Sequence, residues 1–146
     1  MDQYTAQKTS SSELRQGLDF PVVDADGHLH EAAYVFPDFL KQVGGPDLVE
    51  RFHKARAETR PVSGGPKSVP WGGYSGAHTF DRATVMLPHL YAQRLEEVGV
   101  DFCTVYPTQG FGVQVLKDDE VRAACCRALN MMYADMFKDV SHKITP

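Results

Sequence analysis

The sequence predicts an α/β protein with a parallel β-sheet, and three observations support this. Two short apolar segments, rich in β-branched residues, are separated by segments of helical pattern, which is the alternation that parallel sheets need. The first apolar segment is continuous rather than alternating, as in strands that are covered on both faces. The chain has 146 residues, a length typical of one domain or at most two.

The first half of the chain is predicted to hold one strand and two helices. Residues 1–18 carry few large apolar side chains, so we expect a flexible N-terminal arm, with the domain itself over 19–146. A strand is predicted over Phe20–Ala25. Helices are predicted over Ala32–Gln42 and Pro46–Glu58, and the glycines before Pro46 part them.

Residues 61–79 are rich in glycine and proline and fit neither a helix nor a strand. Such a segment is either a disordered linker or a functional loop. It contains Trp71 and Tyr74, and a plain linker gains nothing from large aromatic side chains. We therefore favour a lid or a substrate-binding loop.

The second half repeats the pattern of helix, strand and helix. A helix is predicted over Asp81–Val98, with Gly99 just past its end, where positive φ is common. A second strand follows over Val100–Tyr106, and a last helix runs over Asp118–Lys138. Residues 143–146 look like the approach to a third strand. Two strands make too small a parallel sheet, so we expect an N-terminal portion of a larger protein, truncated before the third strand.

Composition excludes several classes of function. The net charge is −4 and the basic residues are scattered, so a nucleic-acid partner is not expected. There is no run of about 18 apolar residues and no apolar secretion signal, so we expect a cytoplasmic protein with no membrane partner. The three cysteines lack metal-site spacing. A thiol function for Cys125 and Cys126 is disfavoured, because neighbours on a helix point about 100° apart.

The densest chemical signal is the acidic and histidine-rich segment 24–31, DADGHLHE. Side chains alternate along an extended strand, so Asp24, Asp26, His28 and His30 are predicted to share one face. Carboxylate and imidazole groups two residues apart can bind one divalent ion, zinc or manganese. The alternative is a solvated turn, in which an aspartate caps the next helix and the histidines are exposed.

The segment 22–31, together with Arg94, Gly99-Val100-Asp101, Tyr106-Pro107-Thr108 and the NMMYAD stretch over 130–135, resembles the start of an amidohydrolase-superfamily protein. The resemblance is to the amidohydrolase-related branch, which includes aminocarboxymuconate-semialdehyde decarboxylase and resorcylate-type decarboxylases. It implies a (β/α)8 barrel with a metal ion at the carboxyl ends of the strands. It also implies a metal-dependent hydrolase or non-oxidative decarboxylase of a small carboxylated, aromatic or amide substrate.

Carried over to this chain, the resemblance makes Asp26 and His28 the first-strand metal ligands, with zinc expected and manganese possible. A second register makes His28 and His30 the pair. We favour the first, because Asp26 directly follows the predicted apolar strand. The remaining ligands and the catalytic residues are expected beyond residue 146.

The same resemblance suggests substrate contacts. Trp71 and Tyr74 would cover the substrate, and Tyr106 and Thr108 would line its edge; the alternative for Tyr106 is a strand-end side chain with a solvated hydroxyl. For Arg94 the alternatives are a residue of the family's pattern and an ordinary charge on a helix surface.

A second hypothesis stands beside the enzyme. The chain would be a non-catalytic α/β module or a truncated product that docks on a partner chain, which completes its sheet. Either hypothesis allows a homo-oligomer or a complementing chain as partner.

Overall fold

The structure is a computed structural model that describes residues 4–59 and 76–146, and it divides into two compact units. Within the described residues, the first unit comprises 4–30, 76–107 and 136–146, and the second comprises 31–59 and 108–135. The predicted lid residues Trp71 and Tyr74 lie outside the described residues.

The first unit contains a parallel sheet, which confirms the predicted α/β class. Within the described residues its strands are β1 (Val23–Leu29), β2 (Phe102–Pro107) and β3 (Ile144–Thr145), and they lie in chain order. β1 pairs with β2, and β2 pairs with β3, both in parallel. Our expectation that the chain ends before the third strand is wrong, since Ile144 and Thr145 already pair with Cys103 and Thr104.

β1 begins and ends later than predicted. The sequence placed it over Phe20–Ala25, whereas it continues to Leu29 because Gly27 and His28 pair with Val105 and Tyr106 of β2. The backbone groups of polar residues join a ladder as readily as those of apolar residues, so the polar segment did not end the strand.

A β-bulge interrupts β1. Asp24 pairs with Cys103 and Gly27 pairs with Val105, so Ala25 and Asp26 together lie opposite the single residue Thr104. The bulge shifts the alternation of side chains between Asp24 and the residues that follow it.

The N-terminal segment, for which we expect a flexible arm, contains a helix. Residues Ser10–Gln16 form helix α1, and Thr9 and Ser12 form a capping box at its N-terminus. Arg15 Nε lies 2.5 Å from Asp101 Oδ2, which ties the helix to the residue before β2. Composition could not reveal this ion pair, because its partners are far apart in the chain.

The predicted helix over Asp81–Val98 is divided in the structure. It forms α3 (Thr79–Met86), α4 (Pro88–Arg94) and a short 3₁₀ helix over Leu95–Val98. Pro88 takes the first position of α4, where its missing N–H is not needed. Gly99 has φ of 74°, as its predicted place after the helix end requires.

The second unit is mainly helical. Its α2 (Phe36–Thr59) is broken at Gly44 and Gly45, and Gly45 has φ of 76°, which confirms the predicted division into two pieces. α2 begins at Phe36 rather than at the predicted Ala32, and Pro37 lies in its first turn.

The second unit also contains a 3₁₀ helix over Gly110–Val115 and residues 119–135 of helix α5 (Asp119–Phe137). Arg51 of α2 binds Asp118 and Glu120 at the start of α5, at 2.7 and 2.8 Å. Two ion pairs therefore join α2 to the residues at the start of α5.

Candidate functional site

The candidate metal ligands lie on β1 and just after it, in the first unit. Asp26 is in the bulge and exposed, His28 is half-buried in the paired part of the strand, and His30 is the first residue after it. The bulge residue Asp26 lies opposite Thr104, and His28 lies opposite Tyr106, two residues further along β2, so both side chains leave the same face of the sheet. The two candidate ligands are therefore near neighbours along β1.

Asp24 does not belong to this group, contrary to the predicted alternation. The bulge separates it from Asp26, and its register partner is Cys103. Burial raises the pKa of the Cys103 thiol to about 11, and the nearby Asp24 carboxylate adds to the rise. Asp24 therefore acts on the buried thiol of Cys103, and its Oδ1 also accepts a hydrogen bond from the Asp26 backbone N–H at 2.9 Å.

His30 is fixed by its backbone and has an orphaned ring nitrogen. Its N–H donates to the Val85 carbonyl at 2.8 Å. Within residues 4–59 and 76–146, its buried Nδ1 has no hydrogen-bond partner. A buried imidazole nitrogen without a partner is costly unless a ligand or ion binds it.

Asp26 lies inside β1 and does not directly follow the strand, so the ground on which we favoured the pair Asp26 and His28 is wrong. His28 belongs to both registers and is the constant member. The donor types suit zinc, and the orphaned His30 nitrogen fits a role as ligand. In the part of the chain that the structure describes, however, no group of three or more acidic, histidine or cysteine residues could hold an ion. The described residues therefore offer a partial donor set.

Of the predicted substrate residues that the structure describes, Tyr106 lies in the first unit and Thr108 in the second. Tyr106 pairs with His28 in the β1–β2 ladder and is 43% exposed, so its side chain is beside a candidate ligand and open to solvent. Thr108 belongs to the second unit, where its backbone N–H donates to Glu31.

Glu31 is the most constrained functional group in the second unit, and its role was not predicted. It is 3% exposed. Its carboxylate accepts from the backbone N–H groups of Thr108, Gln109 and Gly110 at 3.1, 2.8 and 2.9 Å, and from the Tyr133 hydroxyl at 2.6 Å. Three successive amides form a concave anion site, which this carboxylate fills.

The hydrogen bond between the Tyr133 hydroxyl and Glu31 also affects the pKa of that hydroxyl. Burial, together with the hydrogen bond to Glu31, raises the pKa of the Tyr133 hydroxyl well above its ordinary range. The hydroxyl thus stays protonated and donates to the carboxylate. Its distance from Glu31 along the chain explains why no sequence motif revealed the contact.

A cavity of about 270 Å³ lies within the second unit, beside Glu31. Its walls are mainly apolar and come from α2, the Gly110–Val115 turn and α5; the polar residues on its lining are Glu31, Arg56, Thr59 and Gln109. Phe36 and Phe52 form one wall, with ring centroids 5.3 Å apart at 66°. The sequence analysis did not predict this cavity.

Arg94, which matched the family's pattern, is held in a network of the first unit. Its Nε donates to Glu97 at 2.8 Å, its Nη1 donates to Asp81 at 3.0 Å, and its guanidinium lies 4.6 Å from the centre of the Phe80 ring. Tyr4 also donates to Glu97. These contacts give Arg94 a structural role, in which it anchors the N-terminal segment through Glu97.

The cysteines are free thiols in the structure. Burial raises the pKa of Cys125 to about 12, whereas Cys126 is exposed. A thiol that is protonated at neutral pH is a poor nucleophile, which argues against a redox pair at these positions.

None of the helices in residues 4–59 and 76–146 has the length and apolar character needed to cross a lipid bilayer. A scan against protein-family models found no match, and searches of curated proteins and of solved structures found none either.

Proposed function

We propose that the chain is the N-terminal part of a cytoplasmic, metal-dependent enzyme of the amidohydrolase superfamily, within a (β/α)8 barrel. The enzyme would be a hydrolase or a non-oxidative decarboxylase that acts on a small carboxylated, aromatic or amide substrate. The single observation that carries this is the position of Asp26 and His28 on the first of three parallel strands that lie in chain order.

The strand order supports the barrel part of the proposal. In a (β/α)8 barrel each strand pairs with the next one along the chain, with a helical crossover between them. β1, β2 and β3 follow that order, and helices separate them. A doubly wound sheet would instead reverse its order at a switch point.

The metal would be held by His28 together with Asp26 or His30. A divalent ion bound there lowers the pKa of a bound water or anchors a carboxylate of the substrate. Tyr106, which pairs with His28, would contact the substrate at the edge of the same site. The remaining ligands and the catalytic groups would come from outside these 146 residues, so the chain alone is expected to be inactive and to bind metal weakly.

One observation favours the second hypothesis, a non-catalytic module that docks on a partner. Within the described residues, β1 and β3 each pair on one side only. An open sheet edge invites another strand. A complementing chain or a second copy would satisfy both hypotheses, so metal binding is the property that separates them.

The test is a titration of the chain with zinc, followed by the NMR shifts of the histidine ring protons. We expect one weak site that shifts the His28 signals, and loss of that site in the double variant Asp26→Ala/His28→Ala. The matched control is Asp47→Ala/His53→Ala, which removes the same two residue types from the exposed face of α2.

The single variants decide the register. If Asp26 is a ligand, Asp26→Ala weakens zinc binding and His30→Ala does not; the other register gives the reverse. Zinc that stays bound in full to the Asp26→Ala/His28→Ala variant would refute the metal proposal and leave the docking module.

A further inference from the structure

The cavity of the second unit has the features of a binding site for a small amphipathic molecule. Its volume of about 270 Å³ is near the lower end for ligand pockets, so a ligand that fits must be small. A cavity of about 150 Å³ accepts benzene, and by proportion this one accommodates about ten carbon atoms.

Burial differs from one end of the cavity to the other. Phe52, Leu116 and Met132 are buried, whereas Arg56 is exposed and Thr59 is half-buried. The arginine and the threonine hydroxyl therefore lie at the mouth, and the apolar side chains form the interior.

The polar groups of the lining differ in what they can still bind. The Glu31 carboxylate already accepts four hydrogen bonds. In the described part of the chain Arg56 forms no ion pair, in contrast to Arg51 of the same helix, which binds Asp118 and Glu120. Among residues 4–59 and 76–146, the mouth thus offers a cation without an ion-pair partner, while the charge of Glu31 on the lining is already satisfied by its four hydrogen bonds.

We infer that this cavity binds a straight-chain aliphatic carboxylate, with its carboxylate on Arg56 and its alkyl chain against Phe52, Leu116 and Met132. Arginine binds carboxylates with paired N–H donors. The Thr59 hydroxyl also lines the cavity, where it donates to the Arg56 backbone carbonyl at 3.0 Å. The flexible side chain of Met132 can adapt to an alkyl chain. Neither the metal ligands nor the catalytic chemistry proposed above is needed for this binding.

The test uses octanoate as probe and the full chain as protein. Binding is followed by the NMR signal of the Met132 methyl group and by titration calorimetry. We expect saturable binding at one site that shifts the Met132 signal. 1-Octanol should bind as well, since it has the same alkyl chain, but without the contribution of Arg56.

Variants separate the charge from the cavity. Arg56→Gln should weaken octanoate about tenfold and leave 1-octanol unchanged. The matched control Lys54→Gln removes an exposed positive charge of the same helix that does not line the cavity, and should change neither ligand. Gly112→Leu should weaken both ligands, because Gly112 lines the cavity and a leucine adds volume there, while its Cβ meets no atom within 4 Å.

Three results would overturn the inference. These are the absence of a saturable Met132 shift with octanoate, equal octanoate affinity in the wild-type chain and in Arg56→Gln, and tighter binding of octylamine than of octanoate. None of these depends on bound zinc, so a failure here leaves the metal proposal untouched, and a failure of zinc binding leaves this inference standing.

Discussion

Replacing Glu31 by glutamine removes the charge at the centre of a buried cluster while keeping the shape of the side chain. The carboxylate accepts hydrogen bonds from Thr108, Gln109, Gly110 and Tyr133. In the least costly orientation, the new amide group points at the Tyr133 hydroxyl, which can turn to accept from it. The N–H of Gly110 then loses its acceptor.

The expected loss follows from these contacts. An orphaned buried N–H costs about 1–3 kcal/mol, and the remaining bonds weaken because the acceptor is no longer charged. We therefore expect Glu31→Gln to lower the free energy of unfolding by about 2 kcal/mol. Glu31→Ala removes every acceptor and should cost about 4 kcal/mol, a large part of the 5–15 kcal/mol typical of a domain.

The assay is urea denaturation followed by far-ultraviolet circular dichroism, with the free energy of unfolding taken from linear extrapolation. The matched control is Glu58→Gln, an exposed glutamate of α2, which should stay within about 0.5 kcal/mol of the wild type. A double-mutant cycle with Tyr133→Phe should show a coupling energy of at least about 0.5 kcal/mol. A loss of free energy of unfolding below about 0.5 kcal/mol for Glu31→Gln, or additive effects in the double-mutant cycle, would refute the assigned role of this carboxylate.

Two further predictions concern the first unit. Burial opposes ionisation of Glu97, but hydrogen bonds from Tyr4, the Gln7 N–H and Arg94 outweigh it and lower its pKa. The stability that this carboxylate contributes is thus present in full at pH values above its ordinary pKa of 4.5, and it is lost as the pH falls through the lowered pKa. The difference in free energy of unfolding between the wild type and Glu97→Gln should therefore shrink from pH 6 to pH 3. A constant difference would contradict this. Gly27→Ala places a Cβ against Cys103 Sγ, closer than van der Waals contact allows, and should cost about 1–3 kcal/mol in thermal or urea unfolding. The double variant with Cys103→Ala should recover most of that loss, and a double variant as unstable as Gly27→Ala alone would show that the clash lies elsewhere.

Elements with a strong local signal were predicted well. The break at Gly44 and Gly45, the positive φ of Gly99 and the last helix near Asp118 all follow from residues close in sequence. Glycine permits positive φ, and an aspartate before a helix accepts from its first N–H groups, as Asp118 does from Val121 at 3.1 Å.

Predictions failed where distant residues decide the outcome. The N-terminal segment has a weak apolar pattern, yet residues Ser10–Gln16 form α1, and Arg15 of this helix binds Asp101. β1 continues to Leu29 through its ladder with β2, which a scan for apolar runs cannot detect. For the candidate metal site, the sequence shows the residue types, but the choice between Asp26 and His30 as the partner of His28 depends on where β1 ends.

The sequence alone determined the α/β class, the helix breaks and the concentration of metal-binding residue types over 24–31, because each depends on the chemistry of neighbouring residues. Only the tertiary structure decided that Asp24 is separated from Asp26 and His28 by a bulge, that His30 Nδ1 is buried, and that Glu31 binds an amide turn and Tyr133 up to 102 residues away. These features arise from pairing and burial between segments that the chain keeps far apart, and no local pattern records them.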